Sequence, residues 1–388
     1  MIDTLLLGLM GISLTFGQLG RISLGNGIQF YILELIILIH TGVLLYRARG
    51  KLHVPHTLLF RIGAAWFVYI ILLFVVTALG KDLMDNIKAG MYIVRLGVFA
   101  LYFGLLAHTR IQKTFITKVL TVISFAIPAV CLLQYMVVPD LRFLAGYGWD
   151  PHMYRAVGVI FDPPITGVVL GVLFFVATVR KDKIAQFLNF FAIVMLFSRS
   201  TYLAVLFVII AYFVSQRKYL YGFVWVALFV LAVYIAPKTI PPYLVLESAK
   251  IERISTVMSR RVEIEHGLRA WVAHPVFGIG FNRVAEYKKS LEKAYGDNVQ
   301  SNHSSSAFHS FWLTQLATTG IIGFALLAAA YGLVMKRGFY WVLALSIPGL
   351  VGLLDNVVFH PFVLTLFILV FFSRVLDRPH SPHTTSSA

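Results

Sequence analysis

Long apolar runs separated by short polar connections fill the sequence up to about residue 375. A helix needs roughly 17–25 mainly apolar residues to cross a bilayer. We predict an all-α polytopic membrane protein with about twelve such helices. The pair on either side of Ser198-Arg199-Ser200 could also form one long, interrupted helix. The runs begin near Thr4, Ile28, Leu58, Met91, Thr117, Val159, Ile184, Thr201, Leu220, Ser310, Phe339 and Pro361.

Basic residues are frequent in every second connection and sparse in the others. Because basic connections stay on the cytoplasmic side, this alternation predicts twelve spans with both termini in the cytoplasm. The basic connections carry Arg47, Arg49 and Lys51, then Arg110, Lys113 and Lys118, then Arg180, Lys181 and Lys183, then Arg217 and Lys218, Lys336 and Arg337, and Arg374 and Arg378.

Residues 236–308 form one large polar loop on the outer side, with ten basic and seven acidic residues. We predict an amphipathic helix over 251–272, ended by His274-Pro275, and a second helical stretch over 281–295. The chain thus divides into spans one to nine (1–235), the loop (236–308), spans ten to twelve (309–375) and a disordered cytoplasmic tail (376–388).

Composition fits a membrane protein and argues against two other classes. Hydrophobic residues make up 59%, charged residues 13%, and the mean hydropathy is +0.82, which is unlike a soluble protein. The net charge of +16 lies in short clusters between apolar runs, so a nucleic-acid partner is not expected. Cys131 is the single cysteine, so no intrachain disulfide can form.

Arginines on the outer side are candidates for binding an anion. Arg199 lies where positive charge has no topological purpose, and a planar guanidinium suits phosphate. The alternative is a side chain that extends to the lipid headgroups. In the loop, Arg260 and Arg261 begin the amphipathic helix, and Arg269 shares a face with Arg261. A solvated basic face is the alternative for these three.

Two histidines, His303 and His309, stand at the end of the loop, and His309 directly precedes an apolar run. A histidine there can act as a general base, or it can simply be a polar interface residue. The sequence has no metal-binding histidine or cysteine pattern and no nucleotide fingerprint. We therefore expect no metal and no cofactor, and cationic side chains would have to neutralise any phosphate.

Four stretches together resemble the O-antigen ligase and O-antigen polymerase (Wzy_C-like) family of bacterial envelope glycosyltransferases. Their order and their spacing around the large loop are more specific than any one of them. The stretches are Arg155-Ala156-Val157-Gly158 with Asp162-Pro163, Phe197-Ser198-Arg199-Ser200-Thr201-Tyr202, Arg261-Val262-Glu263-Ile264 followed by His274-Pro275 and Gly278-Ile279-Gly280, and His309-Ser310-Phe311 with Gly320 and Gly323.

The resemblance implies an inner-membrane enzyme that works at the periplasmic face. It would move a glycan from undecaprenyl diphosphate to a hydroxyl of lipid A core, with inversion and without a metal. By resemblance Arg199 and Arg261 hold the diphosphate, with Arg260 as the alternative register, and His309 activates the acceptor. Arg155 lies in the weakest of the four stretches. Asp162 and Asp355 could bind sugar hydroxyls or cap a helix.

Three functions therefore remain open. A ligase would use lipid A core as acceptor, and the basic loop favours it slightly because that core is phosphorylated. A polymerase would join lipid-linked repeat units. A flippase for lipid-linked oligosaccharides or a secondary transporter is the alternative from another class, although transporters usually place ionisable residues near mid-membrane. Here only Arg61 and Arg95 lie well inside spans.

Overall fold

The computed structural model describes residues 2–25, 28–48, 57–109, 113–149, 151–240, 254–295 and 307–377. Within these ranges the chain is almost entirely helical. The helices are α1 Ile2–Phe16, α2 Ile32–Ala48, α3 Leu58–Ala78, α4 Leu83–His108, α5 Lys113–Val137, α6 Pro163–Arg180, α7 Lys183–Val194, α8 Arg199–Ser215, α9 Tyr219–Ile235, α10 Ile254–Ala273, α11 Val284–Tyr295, α12 Phe311–Met335, α13 Phe339–Val351 and α14 Pro361–Ser373.

Each predicted apolar run coincides with one of these helices. In the described part of the chain, seven helical segments are long and apolar enough to cross a membrane. Five of them are α3, α4, α5, α6 and α12, and the other two are α1 and α9 together with the 3-10 turns that continue them to Gly20 and Lys238. Helices α7, α8, α13 and α14 are apolar but shorter, and α2 has 17 residues. The protein is thus a multi-pass helical membrane protein by length and composition, and the count of twelve spans stays a prediction.

A β-hairpin corrects the all-α prediction. Strand β1 (Arg21–Gly25) pairs antiparallel with β2 (Ile28–Tyr31), and α2 begins only after β2. The second apolar run, expected to begin as helix near Ile28, therefore begins as strand. The sequence Asn26-Gly27 between the two strands is a strong hairpin signal that the count of apolar runs overlooked.

Helix α6 lies at the centre of the bundle, with 14 of its 18 residues buried. Its backbone passes very close to the beginning of α8, because a Cβ atom on Gly167 would lie 1.9 Å from Oγ1 of Thr201. Only glycine permits this approach without displacement of the neighbouring helix. The packing fixes the first turn of α8, where Arg199 lies.

The segment between α9 and α12 contains the two predicted helices, α10 and α11. A buried ion pair joins them, because Lys288 Nζ on α11 lies 2.6 Å from Glu263 Oε2 on α10. Burial lowers the pKa of Lys288, and Glu263 opposes that effect. Arg283, which is 2% exposed, donates to Asn86 and Thr77 and so connects this segment to α3 and α4.

A seam of main-chain hydrogen bonds attaches the Pro275–Gly280 stretch to a break in α12. The amides of Ile279 and Gly280 donate to Ala317 O and Thr318 O, at 2.9 and 3.1 Å. In return, Ile321 N–H donates to Pro275 O at 2.9 Å. Gly320, with φ 62° and ψ −172°, makes the break. Gly278, Gly280 and Gly320 therefore serve one contact between the loop and a membrane helix.

The first two residues of the predicted tail, Leu376 and Asp377, belong to the described part of the chain. Val375–Asp377 forms a short 3-10 helix with Val375 and Leu376 buried, and Trp341 Nε1 donates to Asp377 Oδ1 at 2.8 Å. The rest of the predicted tail, 378–388, lies outside the described residues.

Candidate functional site

A sharp turn between α7 and α8 presents Arg199 as the first residue of α8. Phe197 adopts the left-handed conformation, with φ 52°. The hydroxyl of Tyr202 holds this turn, since it accepts from Phe197 N–H at 3.1 Å and donates to Val194 O. Ser198 is the N-cap residue, and its side chain makes no cap hydrogen bond to the helix. The amides at the beginning of α8 are thus arranged as in helical anion sites.

Arg155 stabilises the same turn by hydrogen bonds to its carbonyl oxygens. Its guanidinium donates to Leu196 O at 3.1 Å and to Phe197 O at 2.7 Å. The residue is 8% exposed. A left-handed conformation is unfavourable for phenylalanine, so these two bonds stabilise the turn that carries Arg199.

Asp355, in the connection between α13 and α14, joins the turn to the loop helix. Its Oδ2 accepts from Ser200 Oγ at 3.0 Å, and its Oδ1 accepts from an Nη atom of Arg260 at 3.0 Å. Burial raises the pKa of this carboxyl from 3.8 to about 6, although the neighbouring arginines and Ser200 act in the opposite direction.

Three arginines surround this single carboxylate. Asp355 interacts electrostatically with Arg260, Arg155 and Arg199. Arg199 also lies near enough to Arg260 for their positive charges to repel each other. We call these four residues the arginine cluster. With Asp355 ionised, the cluster carries a formal charge of +2, which is the charge an incoming diphosphate would neutralise.

Arg260, and not Arg261, faces the cluster from α10. The Arg260 side chain is 20% exposed, and its Nε–H is buried without a hydrogen-bond partner among the described residues. Arg261 is exposed. Arg269 is exposed as well and pairs with Glu265 at 2.6 Å. The expected common face of Arg261 and Arg269 is therefore the outward face of the helix.

His309 lies at the same end of the molecule as the arginine cluster. It is half-buried and immediately precedes Ser310, the N-cap of α12. The next residue, Phe311, donates its N–H to Gly352 O at 2.8 Å, only three residues before Asp355. Helix α10 packs on the same region, since a Cβ on Gly267 would lie 2.6 Å from a methyl carbon of Leu313.

Two further predicted residues lie apart from this geometry. Asp162 is the N-cap of α6, where its Oδ1 accepts from Ile165 N–H at 3.0 Å, so the capping alternative is realised. His303 lies outside the described residues. Among the residues that the structure describes, no group of three or more potential ligands could hold a metal ion.

Sequence reasoning underestimated Asp355, which it treated only as a possible cap or sugar ligand. The sequence does contain an indication of its role. Asp355 is an isolated acidic residue at the outer end of an apolar run, and the chain has many arginines that could pair with it. Another charged pair that it overlooked is Arg95 with Glu34, whose Nε and Oε1 atoms are 2.5 Å apart. Arg95 is thus neutralised by a partner on α2.

The fold and the arginine cluster define a multi-pass membrane protein with a site suited to an anionic group at one end of its helices. Comparison with protein families gives a more specific result: residues 184–328 match the family model described as O-antigen ligase (Wzy_C). The match confirms the resemblance for the three motif stretches that lie within it, and it indicates a membrane enzyme of the O-antigen ligase or polymerase type. It covers Arg199, Arg260 and His309. No curated protein matches the sequence.

Proposed function

We propose that this protein transfers a glycan from undecaprenyl diphosphate to a hydroxyl of lipid A core, at the periplasmic face of the bacterial inner membrane. The observation that carries the proposal is the arginine cluster, a site of formal charge +2 beside an N-terminal helix turn and at the same end of the molecule as His309. The family match supports the reaction class, and the twelve-span topology with both termini in the cytoplasm would place this end outside.

In the proposed reaction the diphosphate lies against Arg199 and Arg260. Arg155 adds a third positive charge from below the turn. The Arg260 Nε–H, which lacks a protein partner in the described part of the chain, is free to donate to a phosphate oxygen. Fixed guanidinium groups stabilise the negative charge that grows on the leaving diphosphate, so the chemistry needs no metal.

The bond changes are those of a direct displacement. The acceptor oxygen attacks the anomeric carbon while the bond from that carbon to the diphosphate oxygen breaks, and its electron pair leaves with the diphosphate. His309 takes the proton of the attacking hydroxyl, since imidazole is the side chain that most often acts as a general base. Attack opposite the leaving group inverts the anomeric configuration.

Arg260 replaces Arg261 as the preferred diphosphate ligand on α10 in this proposal. The two differ in direction by one helical position, which is about 100° around the helix axis. Arg260 reaches Asp355, whereas Arg261 is exposed. Arg261 remains the alternative from the motif comparison and is tested beside it.

The test is transfer by the purified full chain in lipid nanodiscs, with undecaprenyl-diphosphate-linked glycan as donor. We expect Arg199→Ala and Arg260→Ala to lower the rate by about 100-fold or more, and His309→Ala by about 100-fold or more. Arg142→Ala is the matched control, since Arg142 is exposed and paired with Asp140 at 2.7 Å. Full activity of both Arg199→Ala and His309→Ala would overturn the proposal.

Three further arms decide between the alternatives. Arg261→Ala is compared with Arg260→Ala, and the variant with the larger loss identifies the ligand on α10. Lipid A core and a second lipid-linked repeat unit are offered as separate acceptors, and the acceptor that is used distinguishes a ligase from a polymerase. Movement of the lipid-linked glycan across a sealed vesicle without covalent transfer would instead identify a flippase.

A further inference from the structure

A small cavity shares the connection between α13 and α14 with the arginine cluster and is not used by the reaction described above. Its volume is about 170 Å³, and the residues that line it include Tyr31, Tyr92, Arg95, Asn282, Asn356 and His360. These residues come from β2, α4, the connection from α10 to α11, and the connection between α13 and α14. Asn356 directly follows Asp355, so the wall of the cavity begins one residue away from the cluster.

The cavity is polar but carries no net charge, in contrast to the arginine cluster. Arg95 is compensated by Glu34, with Nε and Oε1 2.5 Å apart, and it also donates to Gln29 O at 2.8 Å. Burial lowers the pKa of His360 to about 3, so this imidazole is neutral at physiological pH. A neutral polar lining suits an uncharged ligand better than a phosphate.

Several hydrogen-bonding groups in the lining have no protein partner within the described residues. These are the side-chain amides of Asn282 and Asn356 and the hydroxyls of Tyr31 and Tyr92. Nδ1 of His360 accepts from Phe362 N–H at 3.4 Å, so the proton of the neutral ring resides on Nε2.

Together these groups supply both donors and acceptors. Amides and hydroxyls do both, and burial raises the pKa of Tyr31 to about 12, so its hydroxyl keeps the proton. A ligand with many hydroxyl groups satisfies such a mixture, because every hydroxyl is itself a donor and an acceptor.

Aromatic rings form part of the wall. The rings of Tyr31 and His360 are 5.6 Å apart between centroids and tilted by 54°, and Tyr92 contributes a third ring. Aromatic rings provide a rigid apolar surface together with a polar edge. The C–H face of a pyranose ring matches that surface, and its hydroxyls match the amides. The volume corresponds to roughly five or six water molecules at about 30 Å³ each, which is room for one sugar ring and not for an oligosaccharide.

We propose that this cavity is a saccharide subsite, holding one sugar unit of the glycan donor or of the acceptor beside the arginine cluster. The inference rests on the proposed function, since it assigns to the cavity a part of that reaction's substrates. The donor and the acceptor share this chemistry, and the experiment separates them.

The experiment uses the purified full chain with Asn356→Ala, and with Tyr92→Phe as a second variant that removes one hydroxyl only. Asn356 is exposed, so its replacement leaves the packing unchanged. Tyr147→Phe is the matched control, because Tyr147 is 69% exposed and does not line the cavity. The kcat and the KM for donor and acceptor are measured, together with binding of donor and of sugar-free undecaprenyl diphosphate.

We expect each cavity variant to raise the KM for one substrate by about fivefold to tenfold, the usual effect of one lost hydrogen bond. Binding of sugar-free undecaprenyl diphosphate stays unchanged, whereas Arg260→Ala weakens binding of both lipids. A higher KM for the donor assigns the subsite to the donor sugar, and a higher KM for the acceptor assigns it to the acceptor sugar.

Two results would overturn the subsite: unchanged KM for both substrates in both variants, or a loss of kcat alone. Neither result affects the proposed function, which fails only if the Arg199→Ala and His309→Ala enzymes keep full activity. Binding of donor against sugar-free lipid needs no turnover. It therefore tests the assignment to the donor sugar even where transfer is absent.

Discussion

Asp355 offers a direct test of the electrostatics at the site. Replacement by Asn preserves the size and the hydrogen-bonding oxygen of the side chain but removes its titration. Burial raises the pKa of this carboxyl from 3.8 to about 6 in the folded protein. The folded state therefore holds the proton more tightly than the unfolded chain, and the resulting stability is fully present below pH 3.8 and is lost as the pH rises through about 6.

The magnitude follows from the two pKa values. A difference of one unit corresponds to about 1.4 kcal/mol, so the ionised carboxyl costs about 3 kcal/mol of unfolding free energy at neutral pH. We expect Asp355→Asn to be more stable than the natural protein by up to about 3 kcal/mol at pH near 7.5. At pH near 5 the natural protein recovers about half of that amount, and the difference shrinks accordingly.

Unfolding of the purified protein at the two pH values measures this effect. Asp140→Asn is the control, because the hydrogen bond from Arg142 lowers the pKa of that exposed carboxyl, and its replacement should give no stability at neutral pH. The reasoning is refuted if Asp355→Asn is not more stable at pH near 7.5, or if its advantage is the same at pH near 5. Transfer should fall in this variant, since Arg260 loses its charged partner.

Two further changes test how the outer segment is held. Glu263→Gln leaves Lys288 buried without its ion-pair partner and should cost about 3–5 kcal/mol of unfolding free energy, measured by chemical unfolding; an unchanged stability would contradict the buried pair. Gly320→Ala should lower the melting temperature strongly, because a Cβ there would lie 2.1 Å from Val276 O and the φ of 62° disfavours alanine. Gly332→Ala in the same helix is the control, because a Cβ there meets nothing within 4 Å, and this variant should melt no earlier than the natural protein. An equal drop in melting temperature in the two glycine variants would exclude the seam as the cause.

The helices themselves could be predicted from the sequence, because burial in lipid demands long apolar runs and such runs are visible without tertiary information. All twelve predicted runs contain a helix. The hairpin between β1 and β2 could not be recognised from apolar length. Its strands have only five and four residues, which is much shorter than a membrane-spanning helix.

The side chain that α10 turns inward could not be predicted. The inward face of this helix holds Glu263, His266, Gly267 and Ala270, and Arg260 precedes them at helical spacing. Most of these residues are polar or small, so hydrophobic periodicity gives no indication of the buried face. The partners that decide it, Asp355 and Lys288, are distant in sequence and become apparent only in the fold.

The hydrogen-bonded seam at Gly320 also sets where the protein can be divided. The loop amides of Ile279 and Gly280 end on carbonyls of α12, so the loop and the first part of that helix form one exchangeable unit. A chimera that takes the outer segment from a related enzyme must therefore continue past Gly320 and include Ile321, whose N–H bonds to Pro275 O. A junction placed at His309, at the apparent end of the loop, would take the loop side of the seam from one protein and the α12 side from another.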